Sequence, residues 1–444
     1  MSDFSFYLVT DPHYFDESFG RSGSAYEARS RTDQKCVAET PAILDAGFAQ
    51  IAADRETRVI LIPGDLVYRG EYQSHVGFRK RLYRLQEAGK KIYLITARHD
   101  YAENPCEFIG DRTVPVAGME RSDLRDFYRE FGFDDAIAEH RESMSYVAQL
   151  APGLRLLALN CDGDCKDFKG LWPEQLDWAV AQIQAAHAAG ERIIAMTHYP
   201  LLPFSAVMGL IGDAHLTDWE QTANTLADAG LELIFTGHMH AQAVTEHISP
   251  AGNTITDVQT GCFVGCPCAY RKVTVAPDGQ VDIRSYTIDD FDYDKGGRTA
   301  AEYLQWRFDR MITDIMDAMA TDFDAFMGKF GGSQGKEKLK GPVTAVGKLL
   351  QKLTVKQLGR LFWFRVDSSI GDRRVADVGE PYVPGTPMYD ALDHLLRRLS
   401  PVLHILEKKL SAGNPQLSDL RAFVLSMIGD KKQRDYNCTL QLTK

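Results

Sequence analysis

The chain has 444 residues, 44% of them hydrophobic, and its 50 Lys and Arg against 61 Asp and Glu leave a net charge of −11. This composition lies in the ordinary globular range and excludes a mainly disordered chain. The acidic balance, without a basic block, also argues against a protein whose main task is to neutralise a nucleic-acid backbone, so a phosphate-bearing substrate would need a locally positive site.

No stretch approaches the roughly 18 apolar residues of a membrane helix, and the start MSDFSFYLVTDPHY has no basic and apolar leader. A cytoplasmic protein without a membrane partner is expected. Eight cysteines in so long a chain do not make a disulfide scaffold. Neither Cys161-x3-Cys165 nor Cys262-x3-Cys266-x-Cys268 has the usual zinc-knuckle spacing, so they read as isolated buried thiols.

In chain order, FSFYLVTD predicts a strand, and a helix from about residue 37 to 55 leads into RVILIPGD, a second strand. A helix over about 78–88 precedes KKIYLITARHD, which is followed by LRLLALNCD. Trp172-Pro173-Glu174 opens a helix before RIIAMTHYP, and Thr217-Asp218-Trp219-Glu220 reads as a capping box before LELIFTGHMH. TDVQTGCF and a hairpin around Pro277-Asp278-Gly279 close this part. Strands alternating with helices predict α/β layering over residues 1–290. From about Phe291 the strand signals vanish, and Thr299-Ala300-Ala301-Glu302, Thr354-Val355-Lys356-Gln357, Thr386-Pro387 and Asn414-Pro415 read as helix starts. Residues 291–444 are therefore expected to form a helical region, for packing, for a homodimer or as a lid, with GKFGGSQGKEKLKGP as a solvated connector.

Five strands end in the same kind of residue: Asp11-Pro12-His13, Gly64-Asp65, Arg98-His99-Asp100, His198, and Gly237-His238-Met239-His240. Ligand sites in open α/β sheets form outside the carboxyl ends of strands, so these segments are expected to converge on one crevice. Imidazole nitrogen mixed with carboxylate oxygen suits Mn, Fe and Zn rather than Mg or Ca. Two such ions about 3.5–4 Å apart form the clamp used for in-line displacement at phosphorus.

The order D-x-H, G-D, N-H-D, H, G-H-x-H resembles that of the calcineurin-like metallophosphoesterase superfamily, from residue 4 to about 290. GDLVYRGEY and LWPEQLDW add to the resemblance. It implies a four-layer αββα arrangement, a layered β-sheet sandwich flanked by helices, with the all-helical extension behind it. It also implies two divalent ions, with Asp11, His13 and His240 on the first, His198 and His238 on the second, and Asp65 bridging. His99 and Asp100 occupy the family's catalytic N-H-D segment, and His99 would lie near the leaving oxygen. The implied activity is hydrolysis of a phosphodiester or phosphomonoester in a small phosphorylated substrate such as a nucleotide. The alternatives are a nuclease of the same superfamily and a non-catalytic metal-binding scaffold.

Arg98 departs from the pattern: the family has Asn there as a ligand, and Arg has no acceptor with which to ligate. Three accounts stand: Arg98 grips the phosphate while the second metal binds weakly, Asn104 substitutes as ligand, or the site has decayed. The six intact ligands favour the first. Tyr68 replaces the Asp of G-D-x-x-D-R-G, which argues against a protein phosphatase, and Arg69 beside it is a second candidate for substrate contact. The segment LLPFSAVMGLIGDAHL, after His198, is a lid or plain packing.

Overall fold

The computed structural model describes residues 3–31, 33–101, 104–162, 169–205, 208, 214–328, 337, 340–351, 387–398, 400–410, 418–422, 425 and 435–443. In chain order the first part runs β1 (Phe4–Leu8), α1 (Ser24–Ser30), α2 (Thr40–Ala53), β2 (Val59–Pro63), α3 (Tyr72–Glu87), β3 (Lys91–Ile95) and the small hairpin β4 (Cys106–Ile109) and β5 (Arg112–Pro115). Then follow α4 (Arg121–Phe127), β6 (Ala136–His140), β7 (Ser145–Ala151), β8 (Leu154–Leu159), α5 (Pro173–Ala188), β9 (Arg192–Thr197), α6 (Trp219–Ala229) and β10 (Leu233–Thr236). β11 (Ala243–Ile248), β12 (Thr254–Gln259), β13 (Ala269–Val275) and β14 (Gln280–Thr287) complete the α/β part. The described helices after it are α7 (Ala300–Thr321), α8 (Phe323–Gly328), α9 (Lys340–Leu350), Pro387–Arg398 and Ser400–Leu410, before a last strand, β15 (Cys438–Gln441).

The strands form a six-stranded sheet, β15-β14-β13-β1-β2-β3, and a seven-stranded sheet, β11-β12-β10-β9-β8-β7-β6. Strands β1, β2 and β3 run parallel, as do β8, β9, β10 and β12, so their carboxyl ends share a side within each sheet. Side-chain alternation with period two explains the layers. In β9, Ile194 and Met196 enter the core between the sheets, while Ile193 and Ala195 enter a second core under α5 and α6. Phe6 of β1 meets Phe235 of β10 edge to face across the sheets, with ring centroids 5.5 Å apart. Ile43, Leu44 and Phe48 of α2 and Phe78 and Leu82 of α3 complete the first core. The four-layer αββα expectation holds.

Other boundaries differ from the sequence expectation for local reasons. α3 begins at Tyr72 rather than near 78, because its first turns bury the polar Ser74 and His75 and so hide the apolar period. Its neighbours β4 to β6 are short or half-exposed, and their alternation is weak in the sequence. The box at 217–220 does not form: Thr217 N–H is hydrogen-bonded to the Lys169 carbonyl, and Asp218 takes a left-handed conformation (φ 52°) without a side-chain cap. The one at 299–302 does, with Glu302 N–H donating to Thr299 Oγ1 (3.3 Å) and Thr299 N–H to Glu302 Oε2 (2.9 Å). The helix starts at 354 and 414, most of the connector and the middle of the LLPFSAVMGLIGDAHL segment lie outside the described residues.

The helical reading of 291–444 holds for the described helices but not at the end of the chain. α7 buries Tyr303, Leu304, Phe308 and Met311 in the same cluster as α2 and α3, and Arg307 pairs with buried Glu39, just before α2, at 3.0 Å. β15 returns to pair antiparallel with β14. Arg271, with no exposed surface, anchors that return by donating to the carbonyls of Asp435, Tyr436 and Gln259 (2.8 Å each) and to Thr260 Oγ1 and Ser285 Oγ.

Candidate metal centre

The five strand-ending segments converge, and they do so through uncommon backbone geometry. Asp11 (φ 53°), His13 (37°), Asp65 (52°), His238 (69°) and His240 (54°) are five of the eight non-glycine residues with positive φ among the described residues. Such conformations cost roughly 1 kcal/mol or more and persist where the surroundings over-determine them. Here His13 N–H is held by the Asp65 carbonyl (3.0 Å), and His238 N–H by both carboxylate oxygens of Asp11 (3.2 and 3.1 Å). Gly237 is required by crowding, since a Cβ there would lie 2.5 Å from Asp11 Oδ2.

Hydrogen bonds fix which ring nitrogens face inward. His198 Nδ1 lies 2.8 Å from the Pro63 carbonyl, which can only accept, so Nδ1 carries a proton and Nε2 is the nitrogen that faces Asp65 Oδ2 at 3.2 Å. His240 Nδ1 donates to Gln34 Oε1 (3.2 Å), and Gln34 Nε2 donates back to the His240 carbonyl (3.4 Å). His240 Nε2 then faces His13 Nε2 at 3.1 Å and Asp11 Oδ1 at 3.5 Å. Buried acceptors this close need a proton or a cation between them. Burial opposes a charged imidazole at His198, but Asp65 and then Asp11 overcome it and raise its pKa to about 9. Asp65 is held well below the usual carboxylate range: burial works against this, and His198 and His99 prevail.

Three groups of donors have their ligand atoms within 4.8 Å of one another: Asp11, His13 and Asp65; Asp65, His198 and His238; His13, His240 and Cys262. Asp65 belongs to two of them. The donor set of imidazole nitrogens and carboxylate oxygens, with His198 and His240 each donating their outer N–H to a fixed acceptor, fits a divalent transition metal.

Around this cluster the remaining sequence candidates divide. His99 is partly exposed, donates its backbone N–H to Asp65 Oδ1 (3.2 Å), and has Nδ1 2.9 Å from the Tyr68 carbonyl. Asp100 follows in the same 3-10 turn. Completely buried, it accepts Leu66 N–H (2.8 Å) and Val67 N–H (3.1 Å) on Oδ1 and Ala97 N–H (2.7 Å) on Oδ2. Its oxygens hold the loop carrying Asp65, which makes it a positioning residue. Arg98 opens the 3-10 turn Arg98–Asp100 and is half-buried, Asn104 is exposed, and Arg69 Nη1 lies 3.9 Å from Cys106 Sγ. Tyr68 is buried, with its hydroxyl bound by Arg29 Nε (2.8 Å) and donating to Asp33 Oδ2 (3.2 Å).

Residues 4–242 match the family described as calcineurin-like phosphoesterase. The chain belongs to this family. Among solved structures, this phosphoesterase is similar to a dimetal phosphatase from Danio rerio (13% identity, TM-score 0.44, 64% of this chain and 95% of that one). It is also similar to a purple acid phosphatase from yellow lupin seeds (15%, 0.44), covering 65% of this chain and 52% of that one. A third is an NAD nucleotidase from Haemophilus influenzae (12%, 0.34), with 78% of this chain and 60% of that one covered. No curated protein matches in sequence. At identities this low, the family assignment rests on the sequence match.

The structure adds residues of the phosphoesterase that the sequence pattern missed. Cys262, read as an isolated thiol, donates to the Asp11 carbonyl (3.2 Å) and sits against His13 and His240. Gln34 orients His240 from more than two hundred residues away. Lys35, beside Gln34, is buried with its ammonium 3.2 Å from His99 Nε2. The first is one of eight cysteines and the last one of fifty cations, and neither stands in a motif.

Proposed function

We propose that this phosphoesterase is a metal-dependent hydrolase of a small phosphomonoester or phosphodiester. Asp11, His13 and His240 would hold one divalent ion, His198 and His238 a second, and Asp65 both, with Mn, Fe or Zn suited to the donors. One observation carries this reading: Asp65 is shared by two His/Asp groups, and its Oδ2 lies 3.2 Å from His198 Nε2. Bound ions would supply the charge that lowers the pKa of an attacking water and offsets the charge developing at phosphorus. The chain's own residues prepare the site. Pro63 and Gln34 fix the His198 and His240 rings, Asp100 holds the Asp65 loop, and His99 lines the crevice beside Asp65. Because Arg98 stands where the family has a ligand, the second ion binds more weakly than the first, and the guanidinium serves the substrate's negative charge.

The test is metal content together with turnover of 4-nitrophenyl phosphate and its bis ester, for wild type and Asp65→Asn. Wild type is expected to bind metal and turn over at least one ester, with Asp65→Asn losing about 100-fold or more. Bound metal without turnover across Mn, Fe, Zn and Co would favour a non-catalytic scaffold.

A further inference from the structure

Lys35 is only 7% exposed, yet among the described residues no carboxylate lies within 4 Å of its ammonium. Lysines are almost never buried so deeply without a paired anion. The nearest acid in sequence, Asp33, directs its Oδ2 to Arg29 Nε (3.3 Å) and to the Tyr68 hydroxyl (3.2 Å) and accepts the Lys35 backbone N–H at 3.1 Å; against burial, the charges of Lys35 and then Arg29 hold its carboxyl below the usual range, so it faces the ammonium at a distance rather than in contact. The ring of Tyr68, 5.5 Å from Nζ, offsets part of the charge. The one hydrogen-bond partner is neutral. His99 Nδ1 must donate to the Tyr68 carbonyl, so Nε2 is an acceptor and the ammonium donates to it at 3.2 Å. Lys35 is thus a buried cation held in direction by His99, with no carboxylate in direct contact among the described residues, beside a residue that touches Asp65.

The segment bearing it is well anchored. Lys35 bridges to Gly265, Cys36 N–H donates to the Val264 carbonyl (3.0 Å), and Gln34 orients His240. Two adjacent residues therefore face the centre with different tasks.

We propose that Lys35 is a substrate-binding residue of this site, its ammonium donating to an oxygen of the phosphoryl group bound beside His99. This rests on the reading of the site as a phosphohydrolase centre. It changes the part played by His99. With Nε2 accepting from Lys35, the imidazole has no proton to offer on that side, and it becomes the residue that positions the lysine donor. The phosphate would be the anion in direct contact with Nζ, which a compact ammonium binds as a point charge.

The test is calorimetric titration of the metal-loaded full chain with inorganic phosphate, for wild type, Lys35→Met and Lys35→Arg, with metal stoichiometry and thermal unfolding measured alongside. Lys35→Met is expected to weaken phosphate binding at least about tenfold, and Lys35→Arg to recover it to within about threefold, with metal content and unfolding unchanged. In turnover the loss should appear mainly in KM. Unchanged phosphate affinity in fully metal-loaded Lys35→Met overturns the role of Lys35 while leaving the metal centre standing. Loss of metal or of fold in both variants overturns it in favour of a structural lysine. A wild-type chain that takes up no metal overturns the centre first and this assignment with it.

Discussion

Asp100→Asn separates a positioning carboxylate from a proton carrier. The carboxylate receives three backbone amides, Leu66 and Val67 on one oxygen and Ala97 on the other, at 2.7–3.1 Å. An asparagine oxygen can retain the first two, but its NH2 then faces Ala97 N–H at the distance where Oδ2 now accepts, donor against donor. One hydrogen bond is lost and a buried amide is stranded, about 1–3 kcal/mol of stability. Leu66 and Val67 directly follow Asp65, so the shared ligand shifts with them, and a drop in metal affinity of about 10–100-fold is expected, as for other groups that orient metal ligands. Urea unfolding in excess chelator reads the first effect, and competition with a metal-binding dye reads the second. The argument fails if stability stays within about 0.5 kcal/mol of wild type and metal affinity is unchanged. Loss of turnover alone would instead make Asp100 a proton carrier.

Four further outcomes follow from the geometry. Gly237→Ala places a Cβ 2.5 Å from Asp11 Oδ2 and should weaken metal uptake about tenfold or more with little change in the melting temperature of the metal-free chain; equal metal affinity would show that Asp11 is not held there. Arg271→Met orphans the carbonyls of Asp435, Tyr436 and Gln259 in the interior and should cost about 3–5 kcal/mol in urea unfolding; an unchanged midpoint would detach the chain end from the cooperative core. His75, buried between the Tyr128 hydroxyl (2.7 Å) and the Asp100 carbonyl (2.8 Å), has its pKa lowered to about 4 by burial, below the ordinary value of about 6.5. The folded state therefore binds fewer protons than the unfolded one in this window. Stability is full above about pH 6.5 and falls by about 3 kcal/mol as the pH drops towards 4, and His75→Gln should flatten that slope; a slope unaltered by the substitution would place its origin elsewhere. Arg98→Asn restores an oxygen ligand, so metal titration should show a second ion bound about tenfold more tightly, whereas equal affinity would mean that Arg98 is not the reason for a weak second site.

The layered architecture and the five converging segments were legible because both are local. Short apolar strands alternate with helices, and each parallel strand that matters ends in Asp or His. The family order of those residues could be read along the chain. Less was legible at β4 to β6, where half-exposed residues blur the alternation, and at 217–220, where a capping pattern yields to a backbone bond to Lys169. β15 is four residues long, and its register with β14 comes from the anchoring of Asp435 and Tyr436 by Arg271, 164 positions earlier. Asp100 reads like any acid of a catalytic motif until its three amide partners are seen. Lys35 and Gln34 have no motif at all, and they belong to the site only because the fold brings them to His99 and His240. The sequence by itself determined which donor chemistry is present and in what order the strands deliver it. Only the tertiary structure decided which carboxylate faces the crevice and which faces backbone amides, and which buried cation has no carboxylate in contact among the described residues, because hydrogen bonding and desolvation depend on neighbours in space and leave no period along the chain.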